Sequence, residues 1–536
     1  RCLVGSEMCI RDRNYNKFNL RSNISTEIAK GIKFELGVSG ISDERNTPYT
    51  SSQDIIRNYW RQGVLYPAYA DPEGTMLNYN GLDMEQNTVA MMTADISGYK
   101  KYKQKYFQSS ATLTADFGEY TPVLKGLTAK AMFSYDYRAD NNEAFRKEYY
   151  QYAYDEQTGT YKQKVYNESS PSNMRREFYD KSQMLGQFTV NYDRTFNDVH
   201  HVGGVIGWEV QKRNGDNFYA VRDLAFSMPY LLAGVTEGQI GAMQTGNNDL
   251  YEQANEALIG RINYSFADRY LLEAQFRYDG SSKFAKGHQW GFFPSASAAW
   301  RVSQEKFWDV SPKAVSNLKL RASYGMTGNY SIAAYATAGT LHGKYANFNG
   351  GELHRPGLEP ETRPTPDLEW ERNKMLDIGL DFGFLKGRIH GTIDYYDSKS
   401  YDLLYLKVLP YTSGFNRAWT NIGDTRNRGW EVSLSTVPVE TKDFHLGVNL
   451  SYYRNKEELI RLQDPKMKED INNGLFVGYP VNGVHYNYKQ VGIWQENEAD
   501  LAAIYGQKPG EVKVADLDGN GKIDGNDRTI LGLSLI

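Results

Sequence analysis

Short and long connections alternate between runs of period-two hydrophobicity along the whole 536-residue chain, and few folds produce that alternation. In "IKFELGV" the apolar Ile32, Phe34, Leu36 and Val38 fall on one face, with Lys33 and Glu35 on the other. The pattern returns in "KFNLRSNIS" (Phe18, Leu20, Ile24), "YFQSSATLTADF" (Phe107, Ala111, Leu113, Ala115, Phe117) and "LTAKAMFSYDY" (Leu127, Ala129, Ala131, Phe133, Tyr135, Tyr137). Ten further runs follow, from "MLGQFTVNY" and "VGGVIGWEV" to "WEVSLST" and "FHLGVNLSYY". Successive side chains of an extended chain point to opposite faces, so each run reads as a strand with one apolar and one polar face.

The links between these runs discriminate between β architectures. "AKG" (29–31), "ADR" (267–269), "LKG" (385–387) and "TKD" (441–443) are tight, whereas 41–103, 139–180, 214–255, 328–373 and 399–427 are long. Antiparallel neighbours reverse direction at each step, so this parity puts the short links at one end and the long ones at the other. A soluble sandwich has no reason to segregate its loops in this way. A barrel of the bacterial outer membrane does, with short periplasmic turns, long extracellular loops and strands of about ten residues bounded by aromatic girdles. The strands expected here run 9–13 residues and repeatedly carry Tyr, Phe or Trp near their ends. The expected fold is all-β, a transmembrane antiparallel β-barrel section of about 14–15 strands. Phe34, Leu36, Val38, Leu113, Ala131, Phe133, Ile262, Tyr264, Leu272, Ala274, Phe276, Ile378 and Leu380 should face lipid. Lys33, Glu35, Arg261, Asn263, Glu273, Gln275 and Arg277 should face the lumen.

Composition agrees with that reading. Mean hydropathy is −0.62, yet aromatics reach 14% with 41 Tyr, and Gly numbers 49. No run approaches the ~18 apolar residues that a membrane helix needs. A formal net charge of −4 gives no basic footprint for nucleic acid. Both cysteines, Cys2 and Cys9, lie in the opening "RCLVGSEMCIRDR", which resembles translated adapter sequence and is set aside as residues 1–13. The remainder has no cysteine, hence no disulfide framework and no thiol chemistry.

Several long stretches resemble the SusC/RagA-type TonB-dependent outer-membrane proteins. They are "EALIGRINYSFADRYLLEAQFRYDGSSKFAKGHQWGFFPSASAAWRVSQEKF" (256–307), "LKLRASYGMTGN" (318–329), "PDLEWERNKMLDIGLDFGFLKGRIHGTIDYYDSKSYDLL" (366–404), "NIGDTRNRGWEVSLST" (421–436), and "VGIWQ" (491–495) followed by 509–532. The resemblance implies a barrel of about 22 strands around an N-terminal plug, the size class of plugged transporters. It also implies import of oligosaccharides or peptides driven by TonB, with a SusD-like surface lipoprotein as partner, in the outer membrane of a Gram-negative, Bacteroidetes-like bacterium. Against that pattern, residues 14–536 carry no TonB box, no plug and no aromatic-ended terminal strand, so they read as the middle of a transporter. Two other readings compete: a siderophore or vitamin receptor, and a soluble, calcium-stapled extracellular β protein that binds glycans.

One motif suggests a ligand directly. In "DLDGNGKIDGND" (516–527), Asp516, Asp518, Asn520, Lys522 through its carbonyl, Asp524 and Asp527 stand at positions 1, 3, 5, 7, 9 and 12 of a calcium loop. Gly521 takes the sharp-turn position, and the apolar Ile523 follows at position 8. The twelfth residue is Asp rather than the usual bidentate Glu, closer to a dockerin repeat than to a signalling EF-hand. Strand parity places this loop outside the membrane, within the extracellular region 485–536, where Ca2+ would act as a structural staple. The blander alternative is an acidic surface turn.

Nothing points to catalysis. His200 and His201 are adjacent in an expected turn and cannot both face one metal from a strand, no HExxH or Walker-A sequence occurs, and no Ser/His/Asp set assembles from spacing. The expected class is therefore not an enzyme. Tyr59, Trp60, Tyr401 and Tyr405 lie in long loops and could stack on sugar rings, although girdle and loop packing explain them as well. The run "YKKYKQKYF" (99–107) reads as the outer rim of a strand meeting anionic lipid headgroups rather than nucleic acid.

Overall fold

The computed structural model describes residues 12–236, 238–244, 249–348, 353–462 and 464–533, so Cys2 and Cys9 lie outside the described residues. Seven strands lead the large sheet: β1 (Asn14–Ala29), β2 (Ile32–Pro48), β3 (Gly98–Asp116), β4 (Leu127–Arg146), β5 (Asn173–Phe196), β6 (His200–Asp223) and β7 (Tyr251–Phe266). Seven more follow: β8 (Tyr270–Ser281), β9 (Trp290–Arg301), β10 (Val315–Asn329), β11 (Glu371–Phe384), β12 (Ile389–Tyr401), β13 (Gly423–Glu440) and β14 (His445–Leu462). Each strand bonds to its neighbours in sequence, and the short strand Ile240–Ala242 adds to β6. This order, with antiparallel pairing, makes tight turns and long loops alternate from strand to strand, as the link parity predicts. By contact the chain divides into two units, one built on the residues up to Asn191 with Gly207–Glu256, the other on Tyr192–Ile206 with Ala257 onward.

Register shows what the alternation accomplishes. In the second unit a row of directly paired residues crosses seven strands: Tyr270, Trp300, Leu320, Leu380, Ile393, Val432 and Tyr452. The adjacent row on the same face reads Leu272, Ala298, Ala322, Ile378, Tyr395 and Trp430. On the opposite face the intervening row is Leu271, Ala299, Arg321, Gly379, Asp394 and Glu431. The first unit repeats the device, with Phe34 opposite Leu113 and Leu113 opposite Ala131, while Lys33, Thr114 and Lys130 share the other face. The expected apolar and polar sets therefore segregate onto opposite faces.

The apolar rows are uncovered. Ile378, Leu320 and Trp430 are about half exposed, at 50%, 45% and 52%. No residue of either row joins a buried hydrophobic cluster among the described residues. Those clusters sit at the long-loop end instead. Trp370 anchors one, its ring centre 5.2 Å from Phe284, 5.4 Å from Phe293 and 5.1 Å from Tyr330. Its indole Nε1 donates to the carbonyl of Gln289 at 3.1 Å. Leu459 anchors a second with Ile422, Leu462 and Leu475. A soluble protein buries its apolar strand faces and leaves its loops wet; this arrangement is the reverse, as a hydrocarbon solvent requires.

Aromatics mark the borders of the apolar face. Tyr270 and Trp300 stand beside the tight turns, and Tyr278 stacks on Trp290 at 4.8 Å toward the other end. Eight residues separate Tyr270 from Tyr278, about 27 Å along the strand before tilt, against an apolar band of about 25 Å. Beyond the border charge appears at once: two residues past Tyr395, Asp397 accepts from Arg426 Nε at 2.9 Å.

Three expectations need correction. The strands run from 12 to 24 residues rather than 9–13. The long loops are correspondingly shorter, at 49–97, 147–172, 224–250, 330–370 and 402–422. Pairing continues past the lipid, where both faces are polar and no alternation reveals the strand. The loops also hold structure of their own, including helix α1 (Ser52–Arg61) and the hairpin formed by Tyr150–Asp155 and Thr160–Val165.

The face assignment predicts the cost of a charge. Ile378→Lys should destabilise the protein folded in lipid by about 2–4 kcal/mol, measured by denaturant unfolding from vesicles. Ser323→Lys, on the polar face and paired in register with Asp377, should cost far less. Equal losses would show the faces to be assigned wrongly.

Candidate functional site

The polar face of the second unit centres on Arg321 of β10. Its Nε donates to Asp381 at 3.0 Å, Nη1 to Asp377 at 3.2 Å and Nη2 to Asp394. Lys319 approaches Asp381 at 3.5 Å. Glycine is required opposite, because a Cβ at Gly379 would run into the Arg321 guanidinium and the Asp394 carboxylate. One cation thus ties strands β10, β11 and β12 together, on the face where water rather than lipid can solvate the remaining charge. The network is part of the wall formed by the polar face.

The 516–527 loop forms in part as expected. Carboxylate oxygens of Asp516, Asp518 and Asp527 lie within 4.8 Å of one another, and this is the group of metal-ligating type found among the described residues. Asp527 is fully buried, and its two oxygens accept from the amides of Leu517 at 2.7 Å and Asp524 at 2.8 Å. Asp516 accepts from Gly519 at 2.7 Å and Gly521 at 2.8 Å. The Gly521 amide holds the Asp516 carboxyl below the usual carboxylate range, so the loop keeps that charge on mild acidification. Gly521 turns with φ at +78°, as the sixth position demands.

The other expected ligands are engaged locally. Asn520 Oδ1 accepts from the Lys522 amide at 2.8 Å, and Asp524 Oδ1 caps the following turn through the Asn526 amide at 2.8 Å. Three carboxylates within 4.8 Å of one another, one of them the buried twelfth residue Asp527, are the hard oxygen donors that calcium takes. The loop sits between two short paired segments, Val512–Val514 bonded to Gln490–Ile493 and Arg528–Leu533 bonded to Val484–Tyr488.

The remaining candidates separate cleanly. His200 meets Tyr264 Oη at 2.8 Å, whereas His201 meets Thr195 Oγ1 at 3.2 Å, so the two imidazoles serve different neighbours. Tyr59 and Trp60 are exposed on α1, at 67% and 79%. Tyr401 is flanked by Lys374 and Lys399, each about 5 Å from its ring centre (4.9 and 5.0 Å). Tyr405 packs onto the Leu459 cluster and donates to Asn473 at 3.3 Å.

A cavity of about 330 Å³ in the first unit is invisible in the sequence. Its lining comes from the end of β2, from α1, from the 84–97 segment, from the end of β4 and from 166–169. Ser51 caps α1 by accepting from the Asp54 amide at 3.1 Å, which aims Arg57 and Arg61 into the cavity wall. No local pattern could announce a site assembled from five separate segments.

The model of the family described as "TonB dependent receptor-like, beta-barrel" matches residues 44–525. TonB-dependent receptor P3 of Formosa agariphila is 28% identical over 547 aligned positions, covering 97% of this chain and 51% of that protein. TonB-dependent receptor SusC of Bacteroides thetaiotaomicron is 36% identical over 290 residues, covering 51% of this chain and 27% of SusC. Among solved structures, the RagAB peptide transporter superposes with a TM-score of 0.71 at 22% identity, covering 97% of this chain and 54% of that one, a likeness of fold. The chain spans about half, or less, of the length of these relatives. With its family match spanning β3 to β14, twelve of the fourteen strands, the chain belongs to the TonB-dependent receptor-like β-barrel family, outer-membrane receptors and transporters of Gram-negative bacteria.

Proposed function

We propose that this chain is the barrel part of a TonB-dependent importer of oligosaccharides or peptides, working with a SusD-like surface lipoprotein in a Bacteroidetes-like outer membrane. The observation that carries the reading is the family match over residues 44–525 together with 36% identity to SusC. The peptide alternative draws on the RagAB peptide transporter, with which the chain shares its fold. The geometry of each unit is consistent with passage: its strands carry a polar face lined with charge, opposite the apolar one. TonB would act through the plug that the resemblance implies. The uncovered apolar rows weigh against a soluble glycan-binding protein, and no feature of the site favours a metal-chelate cargo.

Calcium fits the same reading as a staple. Bound at 516–527, it would neutralise the Asp516, Asp518 and Asp527 carboxylates and hold two halves of an extracellular loop together.

Disrupting the gene in its own host should abolish growth on an oligosaccharide mixture or on a peptide mixture, and removing TonB should reproduce the same defect. Unchanged uptake of both classes would overturn the importer. For the loop, limited proteolysis should cut 516–527 faster in chelator than in calcium, and the Asp516→Ala/Asp518→Ala variant should lose that protection while remaining folded. Equal cleavage of the unaltered protein in both conditions would reduce the loop to an acidic turn.

A further inference from the structure

We propose that the 330 Å³ cavity of the first unit is a binding site for a carboxylate-bearing unit of the transported ligand. This rests on the importer reading and adds a residue-level site and a charge preference to it. The cavity is of ordinary ligand size, about 300–1,000 Å³. One wall is aromatic: Tyr149 and Tyr166 stack with ring centres 5.4 Å apart and planes 26° apart. The other walls bring three guanidinium groups together, Arg57 and Arg61 from one side of α1 and Arg146 from the last position of β4.

The donors exceed the acceptors. Asp54 is occupied by Arg57 at 3.1 Å and by Ser51 Oγ at 2.6 Å, and Glu168 accepts from Tyr166 Oη at 3.1 Å. Arg61 finds Asp83 only at 3.6 Å. Arg146 Nη2 donates to the carbonyl of Pro171 at 3.1 Å, but its Nε is buried with no hydrogen-bond partner. A buried donor left in that state is unfavourable, and an incoming acceptor removes the penalty. Of the groups an oligosaccharide or peptide carries, a carboxylate matches the planar guanidinium fork best and is charge-complementary.

Tyr49 connects this cavity to a second, of about 270 Å³, which it also lines. The second cavity lies against the polar face at the long-loop ends of β3 and β4, where Lys100 stands 4.7 Å from the Tyr49 ring centre and Asn142 keeps a buried, unbonded Oδ1. Register pairs Gly98 with Arg146, Lys100 with Ala144 and Tyr102 with Asn142, opposite in face to Phe107 and Phe133. Two chambers on the polar side, divided by one tyrosine, suit an oligomer with a unit in each. The carboxylate can belong to a uronic acid of a saccharide or to an acidic peptide.

The test is equilibrium binding to the protein reconstituted in nanodiscs, with trigalacturonate, triglutamate and maltotriose as probes. One acidic probe should bind at least tenfold more tightly than maltotriose, and which one it is names the source of the carboxylate. Arg146→Gln should weaken that probe at least tenfold and leave maltotriose unchanged; should this variant fail to insert, Arg57→Gln, a half-exposed α1 side chain that also lines the cavity, gives the same comparison. No binding, equal binding of acidic and neutral probes, or indifference to both substitutions overturns the site while the uptake experiment can still stand. Selective acidic binding without any uptake defect on gene disruption overturns the importer and leaves the site.

Discussion

In hydrocarbon a backbone amide or carbonyl has no water to fall back on, and every other feature of this chain follows from that requirement. Sequential antiparallel pairing satisfies those groups on both sides of the twelve strands from β2 to β13, and on one side of β1 and β14, without a crossover. Once the pairing is set, a side-chain period of two leaves no freedom: a slip of β11 by one residue would turn Ile378 and Leu380 inward and push Asp377 and Asp381 into lipid. The seven-residue row from Tyr270 to Tyr452 is the visible result, a line of apolar and aromatic side chains that meets its partner at every strand. Hydrophobic burial in the usual sense contributes nothing across that face. Its apolar character is a condition of residing in lipid.

Where the strands leave lipid, the ordinary rules return. The long-loop end has water around it, so it builds small cores of the familiar kind: Trp370 with Phe284 and Phe293, Leu459 with Leu462 and Leu475. These cores rigidify loops that would otherwise lose much conformational entropy on ordering. The extra length of β5 and β6, 24 residues each, belongs to the same zone. A strand that needs only about 9–11 residues to cross lipid can use the remainder as scaffold. The cavity at α1 stands on that scaffold, at the ends of β2 and β4, where polar groups are affordable.

Charge is distributed by the same logic. Arg321 with its three carboxylates sits on the polar face, and Asp397 with Arg426 appears just past the aromatic border of the apolar one. Neither pair could stand at mid-depth on the apolar side. Around the cavity the balance shifts toward guanidinium, with Arg57, Arg61 and Arg146 set against two lining carboxylates, Asp54, already paired with Arg57, and Glu168, which accepts from Tyr166.

The sequence by itself determined which residues form the crossing strands, which face of each is apolar, and at which end the long loops gather. It could do so because lipid imposes a strict period of two and antiparallel order imposes link parity, and both are local in the chain. The proposed calcium loop at 516–527 is local for a related reason: its candidate donors lie within twelve consecutive residues, and carboxylate oxygens of Asp516, Asp518 and Asp527 lie within 4.8 Å of one another. The tertiary structure alone decided what depends on distant segments meeting. Strand extension beyond the lipid left no alternation to read, α1 lay inside what resembled a featureless loop, and the cavity joins Tyr49, Arg57, Arg146 and Tyr166 from stretches separated by up to about a hundred residues (49 to 166). Such a meeting is set by which strands end beside one another, and no periodicity in any one segment encodes it.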